Sequence, residues 1–320
     1  MTGWWRAIAD RLAGVDRPPF ADLQPTVEWQ VAGRCNYDCT YCIQSAPRRV
    51  GAPEEAVARA IVEGFARLPG RWEIKMSGGE PFAYAPLTRQ IVPDLIDKTP
   101  HLVSVLTNFS APIHILQRFC EVTGDRLRIT SASLHLESVP VEAFLDKARA
   151  YRELRASLNP HSTFVVNAVL VPDRIKALFA VRDAVEDDGF RFFPQWMKTG
   201  DGLYPYTPRD LALIRALTGD ARDPAEINRA PSYKGTWCEA GAWYFVVDQT
   251  GDAWSCRTAR RYADRREDDP AWLGNLAEGT FKRLHRGAPC PFDICPCTVP
   301  ANRGIVRHAP EEKINGFSRR

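Results

Sequence analysis

The sequence predicts an α/β fold: a parallel sheet of βα units curled into a barrel or part of one, followed by a smaller cysteine-rich α+β domain. Two observations carry this expectation. A strand-like stretch followed by a helix-like one recurs six times before about residue 217, and such a series sets its strands side by side and parallel. Beyond a Gly-, Pro- and Asp-rich stretch, "TGDARDPAEINRAPSYKG", five of the nine cysteines crowd into the last part of the chain.

The units are legible in order. "TVEWQVAGRC" alternates with Val27, Trp29 and Val31 on one face and precedes the helical "APEEAVARAIVEGFARL", with Pro53 near its start. "WEIKMSGGEP" precedes "LTRQIVPDLID", "HLVSVLTN" precedes "PIHILQRFCEV", and "RLRITSASLHLE" precedes "VEAFLDKARAYREL". "TFVVNAVLVP" leads to "RIKALFAVRDAVED", and "FRFFPQWM" to "TPRDLALIRALTG", where Thr207 caps and Pro208 opens the helix. Before the first unit, Trp4, Ile8 and Leu12 stand at helical spacing among charges, which reads as a short packing helix and not a signal peptide. The domain reading is residues 1–26 as an N-terminal extension, 27–217 as the barrel, 218–236 as a linker and 237–320 as the late cysteine domain. In that last part "WYFVVDQTGDAWSC" reads as a hairpin turning at Gln-Thr-Gly-Asp.

Composition narrows the partners. The 320 residues are 45% hydrophobic and 25% charged, with 42 basic and 39 acidic residues and a net charge of +3, so neither nucleic acid nor a membrane is demanded. A cytoplasmic protein is expected. An odd number of cysteines, crowded at two places in a chain large enough to need no staples, points to metal before disulfides.

Cys35, Cys39 and Cys42 lie within "CNYDCTYC", in the loop after the first strand. A structural zinc site wants four protein ligands, usually in two separated pairs. A cubane iron–sulfur cluster also takes closely spaced thiolates, and with three it leaves one iron open to another ligand. Both remain on these residues alone, as does a zinc ribbon for Cys238, Cys256, Cys290, Cys295 and Cys297. Function in a parallel barrel sits at the C-terminal strand ends. There stand Gly78, Gly79, Glu80 and Pro81 after the second strand, Thr107 and Asn108 after the third, and Ser133, His135 and Glu137 along the fourth. Asn167 lies in the fifth strand, and Gln195 and Trp196 end the sixth. The Gly-Gly is either a plain turn or a place where the backbone approaches a ligand closely.

Taken together, these residues resemble the radical S-adenosylmethionine (radical SAM) superfamily over about residues 27 to 217. The family's CxxxCxxC stands as Cys35, Cys39 and Cys42, with its aromatic as Tyr41, and its GGE as Gly78, Gly79 and Glu80. The resemblance implies a partial (β/α)6, TIM-like barrel and a 4Fe-4S cluster whose fourth iron is chelated by S-adenosylmethionine. Glu80 would pair with the methionyl amine, Tyr41 would lie near the adenine, and Asn108, Ser133, His135 and Asn167 would bond the ribose or carboxylate. An external electron donor such as flavodoxin or ferredoxin is implied as well. Cys238, twelve residues, Gly251, four residues and Cys256 resemble the opening of the SPASM and twitch domains that follow many such barrels. Five late cysteines suit the shorter twitch form with one auxiliary 4Fe-4S cluster, held by Cys238, Cys256 and two or three of Cys290, Cys295 and Cys297. Cys120 is expected as a buried core thiol. The run Arg257, Arg260, Arg261, Arg265 and Arg266, followed by Glu267, Asp268 and Asp269, is expected as a solvated mixed-charge loop.

The implied activity is oxidation or dehydrogenation at an unactivated C–H of a natural-product intermediate. The alternatives are a radical epimerase or a peptide maturase, and, outside enzymes, a zinc-binding structural or interaction protein. About 26 residues before the first strand leave little room for a leader-peptide domain and favour a small molecule over a peptide.

Overall fold

In the computed structural model the described residues are 18–43, 51–200, 202–262 and 269–307. The expected helix around Trp4, Ile8 and Leu12, and the charges at 265–268, lie outside them.

Six strands run parallel and in chain order: β1 (Thr26–Ala32), β2 (Glu73–Gly78), β3 (Leu102–Thr107), β4 (Leu127–Ser133), β5 (Thr163–Leu170) and β6 (Arg191–Trp196). They alternate with α1 (Glu55–Ala66), α2 (Val92–Lys98), α3 (Ile113–Thr123), α4 (Val141–Leu158) and α5 (Ala177–Asp187), and α6 (Pro208–Thr218) follows β6. This is the α/β fold that the six-fold pattern predicts. Pro93 lacks the N–H that an α-turn would use, and the segment ahead of it, Leu87–Ile91, takes a π turn instead. At α6 the Thr207 hydroxyl accepts from the Asp210 N–H while the Asp210 carboxylate accepts from the Thr207 N–H, a closed capping box with Pro208 at the first position.

The two sheet faces differ. Val27, Trp29, Val31, Ile74, Met76, Val103 and Val105 are buried under the helices, with Trp29 edge-on to Phe65 of α1 at 5.3 Å. Each such side chain contributes about 1.5–3 kcal/mol by leaving water. On the concave face Leu106, Ser131, Ser133, Val165, Phe193 and Gln195 are only half-buried, so that face borders an accessible lumen. Its floor is shut by charge: Glu73, fully buried, accepts from Arg128 at 3.0 Å and from Arg303 at 2.6 and 3.0 Å. Burial alone would raise the Glu73 carboxyl, but the two guanidiniums hold it below the usual range. Cys120 packs in the core with its thiol 3.4 Å from the Tyr151 hydroxyl, as its apolar helix face predicts.

After β6 come the two-residue strands β7 (Lys198–Thr199) and β8 (Gly202–Leu203), an antiparallel ribbon at the lumen mouth. The stretch read as a linker docks on the free edge of β6, where Trp196 N–H donates to Asn228 O and Asn228 N–H to Pro194 O. Then β9 (Trp237–Cys238) and β10 (Tyr244–Val247) bring the chain to the other edge. There β10 pairs parallel with β1, and β11 (Asp252–Trp254) and β12 (Trp272–Asn275) follow antiparallel. The hairpin predicted to turn at residues 249–252 is thus present, with its connection at 248–251 and Asp252 already in β11, and it extends the barrel's own sheet. The remaining elements are α7 (Arg257–Tyr262), β13 (Ala288–Pro289), which pairs with β9, and α8 (Val299–Asn302). Cys238 closes β9, Cys256, Cys290, Cys295 and Cys297 lie in the loops between these elements, and β12 and β6 are the edges of the nine-stranded sheet. No helix among the described residues is long and apolar enough to cross a membrane.

Candidate functional site

The loop leaving β1 is tied down on three sides. Gly33 N–H donates to Gln249 Oε1, Glu80 N–H donates to Arg34 O at 2.9 Å, and Glu137 at the end of β4 accepts from both the N–H and hydroxyl of Thr40 at 2.9 and 2.6 Å. Arg174 backs Glu137 at 3.5 Å. The loop therefore holds its three thiols over the C-terminal mouth. Cys35 Sγ accepts from Tyr37 N–H at 3.4 Å and from Asn108 Nδ2 at 3.8 Å, and Cys39 Sγ lies 3.4 Å from His135 Nδ1. Burial and the neighbouring cysteines push the Cys35 and Cys39 thiols up. Binding to a cationic centre would relieve that cost by replacing the proton.

His135 also meets the Tyr41 hydroxyl at 2.8 Å and stacks on its ring at 5.9 Å. Burial lowers its pKa to about 4, so it is neutral at physiological pH. Asn108 bonds Asn36 Oδ1 at 2.9 Å, a loop partner that spacing arguments did not single out. Ser133 and Asn167 lie one strand further on: Ser133 Oγ donates to Asn167 Oδ1 at 2.8 Å, and Gln195 Nε2 donates to the same oxygen at 2.7 Å. Asn228 continues this row, reaching Gln195 at 3.4 Å and Pro296 O at 3.3 Å, between two late cysteines.

Gly78 and Gly79 are explained by the chain itself. A Cβ on Gly78 would stand 2.3 Å from Ala32 O, and one on Gly79 2.1 Å from Arg34 O. Gly78 also holds φ +137°. The close approach these glycines permit is that of the β1 exit, which they let the second strand accompany. Glu80 is 1% exposed and accepts three bonds: Phe82 N–H at 3.1 Å and Thr107 hydroxyl at 2.7 Å on Oε1, and Asn108 N–H at 2.6 Å on Oε2. Burial raises its pKa to about 7, and only hydrogen bonds, no cation, oppose that rise. Every donor favours the ionised form, and among the described residues no cation pairs with this buried carboxyl.

The five late cysteines, Cys238, Cys256, Cys290, Cys295 and Cys297, line one largely apolar cavity of about 330 Å³. The β9–β13 pairing sets Ala288 opposite Cys238. Gly287 makes that possible, since a Cβ there would meet Cys238 O at 2.2 Å. Burial pushes Cys238 and Cys256 up to about 12 and Cys295 well above its ordinary value. Cys297 differs in its partners: its thiol reaches Glu28 Oε2 at 3.8 Å and lies 3.5 Å from the Tyr244 hydroxyl. Glu28 points inward from β1 and pairs with Arg257 at 2.9 Å and Lys75 at 3.4 Å. Burial would raise its carboxyl, but Arg257 and Lys75 bring it down to about 2. Glu28 had a sequence signal, a lone carboxylate inside "TVEWQV", that the hydrophobic alternation overshadowed. The arginine run is corrected in its first part: Arg257, Arg260 and Arg261 belong to α7 and are half-buried, because Thr258 and Ala259 anchor the turn in the core.

Among the described residues no three of His, Cys, Asp and Glu converge as ligands of a single metal ion do.

No curated protein matches the chain. Residues 29–155 match the profile of the Radical SAM superfamily. Among solved structures, anSMEcpe with bound AdoMet superposes with a TM-score of 0.53 at 17% identity, over 80% of this chain and 76% of that one. Streptococcus suis SuiB bound to S-adenosylmethionine does so with a TM-score of 0.58 at 14% identity, over 85% of this chain and 68% of that one. At such identities these structures share the fold. The profile match spans β1, the three-cysteine loop, Gly78–Glu80 and the β4 end with His135, the elements that build the mouth described above. Residues 29–155 are therefore a radical SAM domain.

Proposed function

We propose that this chain is a radical SAM enzyme that oxidises an unactivated carbon of a small natural-product intermediate or short peptide. One observation carries the reading: the three-thiol loop lies at the C-terminal strand ends beside Asn108 and His135, and the five late cysteines line one cavity. In this reading Cys35, Cys39 and Cys42 hold a 4Fe-4S cluster, and residues 237–320 form a twitch-like unit with an auxiliary 4Fe-4S cluster. Held by Cys35, Cys39 and Cys42, such a cluster would supply one electron for the reductive cleavage of S-adenosylmethionine that opens hydrogen abstraction from the substrate.

The chain's own residues bind and orient. The N–H groups of Tyr37 and Asn108 donate to Cys35 sulfur, a contact that favours the thiolate. Glu80 is suited to the methionyl ammonium, the cation its buried carboxylate lacks. Neutral His135 fixes the Tyr41 ring, which offers a stacking face for the adenine. Ser133, Asn167 and Asn108 offer polar atoms for ribose and carboxylate. The superposed structures containing AdoMet and S-adenosylmethionine support the cosubstrate. An external one-electron donor such as flavodoxin or ferredoxin would reduce the barrel cluster.

The test is turnover of anaerobically reconstituted protein in deuterium oxide. We expect 5′-deoxyadenosine and, with the true substrate, a product two hydrogens lighter without solvent deuterium at the reacting carbon. Absence of 5′-deoxyadenosine overturns the reading. A mass-preserving product with one deuterium replaces oxidation by epimerisation, for which Cys297 is the thiol nearest the lumen charges.

Glu80→Gln isolates the charge. Its amide oxygen can still accept from Thr107 and Phe82, but its NH2 would face the Asn108 N–H. S-adenosylmethionine affinity, measured by equilibrium dialysis, is expected to fall roughly ten- to a hundredfold, with iron content retained. Unchanged affinity would mean that Glu80 only braces the β2 and β3 ends.

A further inference from the structure

The turn leaving β3 is strained and anchored on two opposite sides. Phe109 sits there at φ +59°, a left-handed conformation that a bulky side chain avoids. On one side its donors serve the mouth of the barrel. Asn108 N–H donates to Glu80 Oε2 at 2.6 Å, and Phe109 N–H donates at 2.9 Å to the Thr107 hydroxyl, which in turn donates to Glu80 Oε1 at 2.7 Å. The Asn108 side-chain amide donates to Asn36 Oδ1 at 2.9 Å and lies 3.8 Å from Cys35 Sγ. Asn36 Nδ2 donates to Ser110 Oγ at 2.9 Å, and Ser110 N–H closes the ring on Asn108 Oδ1 at 2.9 Å. On the other side the carbonyls of Phe109, Ser110 and Ala111 converge on a single atom, Nζ of Lys147 in α4, at 3.1, 3.3 and 3.4 Å. Lys147 is half-buried, and among the described residues its hydrogen bonds all go to this turn.

We propose that Lys147 is a positioning residue for the S-adenosylmethionine site, holding the Phe109 turn in its left-handed form so that Asn108 stays on both Cys35 and Glu80. The inference rests on the radical SAM reading and adds to it a residue that bonds none of the three cysteines. An ammonium carries three donors and a full charge, which matches three converging carbonyls, whereas an apolar side chain would leave those carbonyls facing one another. The Phe109 ring has a separate task. It packs against Phe144, Tyr151 and Phe164 at 5.4, 5.5 and 5.5 Å, which fixes where the turn lies, while Lys147 fixes the direction in which its peptide groups point. Because α4 supplies Phe144, Lys147 and Tyr151, one helix sets both. A slip of this turn would swing the Asn108 N–H and the Thr107 hydroxyl away from Glu80 together, and would draw the Asn108 amide off the three-cysteine loop. Misplacement of a charged binding group by a fraction of an ångström is enough to weaken the contact it makes.

The test compares anaerobically reconstituted wild type, Lys147→Met, Lys147→Gln and Lys147→Arg by equilibrium dialysis of S-adenosylmethionine, by electron paramagnetic resonance of the reduced protein, and by thermal melting. Lys147→Met is expected to keep wild-type iron and sulfide, to bind S-adenosylmethionine about tenfold more weakly, and to show an altered resonance with the cosubstrate bound. Lys147→Arg, which keeps charge and donors, is expected within about threefold of wild type. Lys147→Gln, a neutral donor one bond shorter, should fall between them, and it carries the test should Lys147→Met not fold. In an Asn108→Ala background Lys147→Met should weaken binding by less than about twofold more, since both act through one turn. Wild-type affinity in Lys147→Met or Lys147→Gln overturns the inference. A lower melting temperature with affinity and resonance unchanged also overturns it, since Lys147 would then only brace α4. Full multiplication of the two effects in the double variant, or a loss in Lys147→Arg equal to that in Lys147→Met, does so as well. Iron, sulfide and S-adenosylmethionine binding of wild type are measured first: their absence overturns the proposed function and this inference together, whereas their presence with indifferent Lys147 variants overturns the inference alone.

Discussion

Replacing Cys35, Cys39 and Cys42 together by Ala is expected to abolish formation of 5′-deoxyadenosine from S-adenosylmethionine under strong reduction, while iron at the late cysteines remains. The effect should be complete because the loop offers no substitute donor: Cys39 borders His135, but Nδ1 of that ring is engaged with Tyr41. The fold should survive, since the loop is held by Gly33, Thr40 and Glu80 through bonds that do not involve sulfur. Circular dichroism and thermal melting of the apo forms check that point, and anaerobic chromatography of the reaction checks the chemistry. Wild-type-like 5′-deoxyadenosine in the triple variant would remove the three thiols from the mechanism.

The barrel was legible because each of its signals is local. Val27, Trp29 and Val31 alternate within one strand, and Thr207-Pro208 with Asp210 caps one helix, so neither needs knowledge of distant residues. The three-cysteine loop was legible for the same reason. What stayed hidden depends on contacts across long stretches of chain. That β10 extends the barrel sheet beside β1 rests on a pairing between Thr26 and Tyr244, and no period announces it. The glycine pair was legible as a place of close approach, but not that the approaching backbone is Ala32 and Arg34. Likewise the arginines after Cys256 read as a solvated loop because their acidic neighbours follow directly, whereas the partner that turns Arg257 inward is Glu28, on the first strand. A carboxylate alone on the inner face of a buried strand was the available sign.

The late cysteines supply the second large effect, and their contacts divide them. Ala at any one of Cys238, Cys256, Cys290 or Cys295 is expected to lower total iron by about half, the share of one of two 4Fe-4S clusters, and to stop product formation. Cys297→Ser is expected to keep the iron. Cys238 has Cys290 and Cys256 as its leading charged neighbours, Cys256 has Cys290 and Cys297, and Cys295 feels all four of the others. Cys297 instead has Glu28, Arg257 and Lys75 as its leading electrostatic neighbours, and its thiol is directed to the Glu28 carboxylate and Tyr244 hydroxyl on the lumen side. On this proposal four cysteines would complete the auxiliary centre and the fifth, Cys297, would stay a free thiol beside Glu28. Iron and sulfide assays with Mössbauer spectra of each variant decide the assignment. Half-loss of iron in Cys297→Ser, together with full retention in Cys290→Ala, would exchange the roles of those two residues and remove the thiol from the lumen.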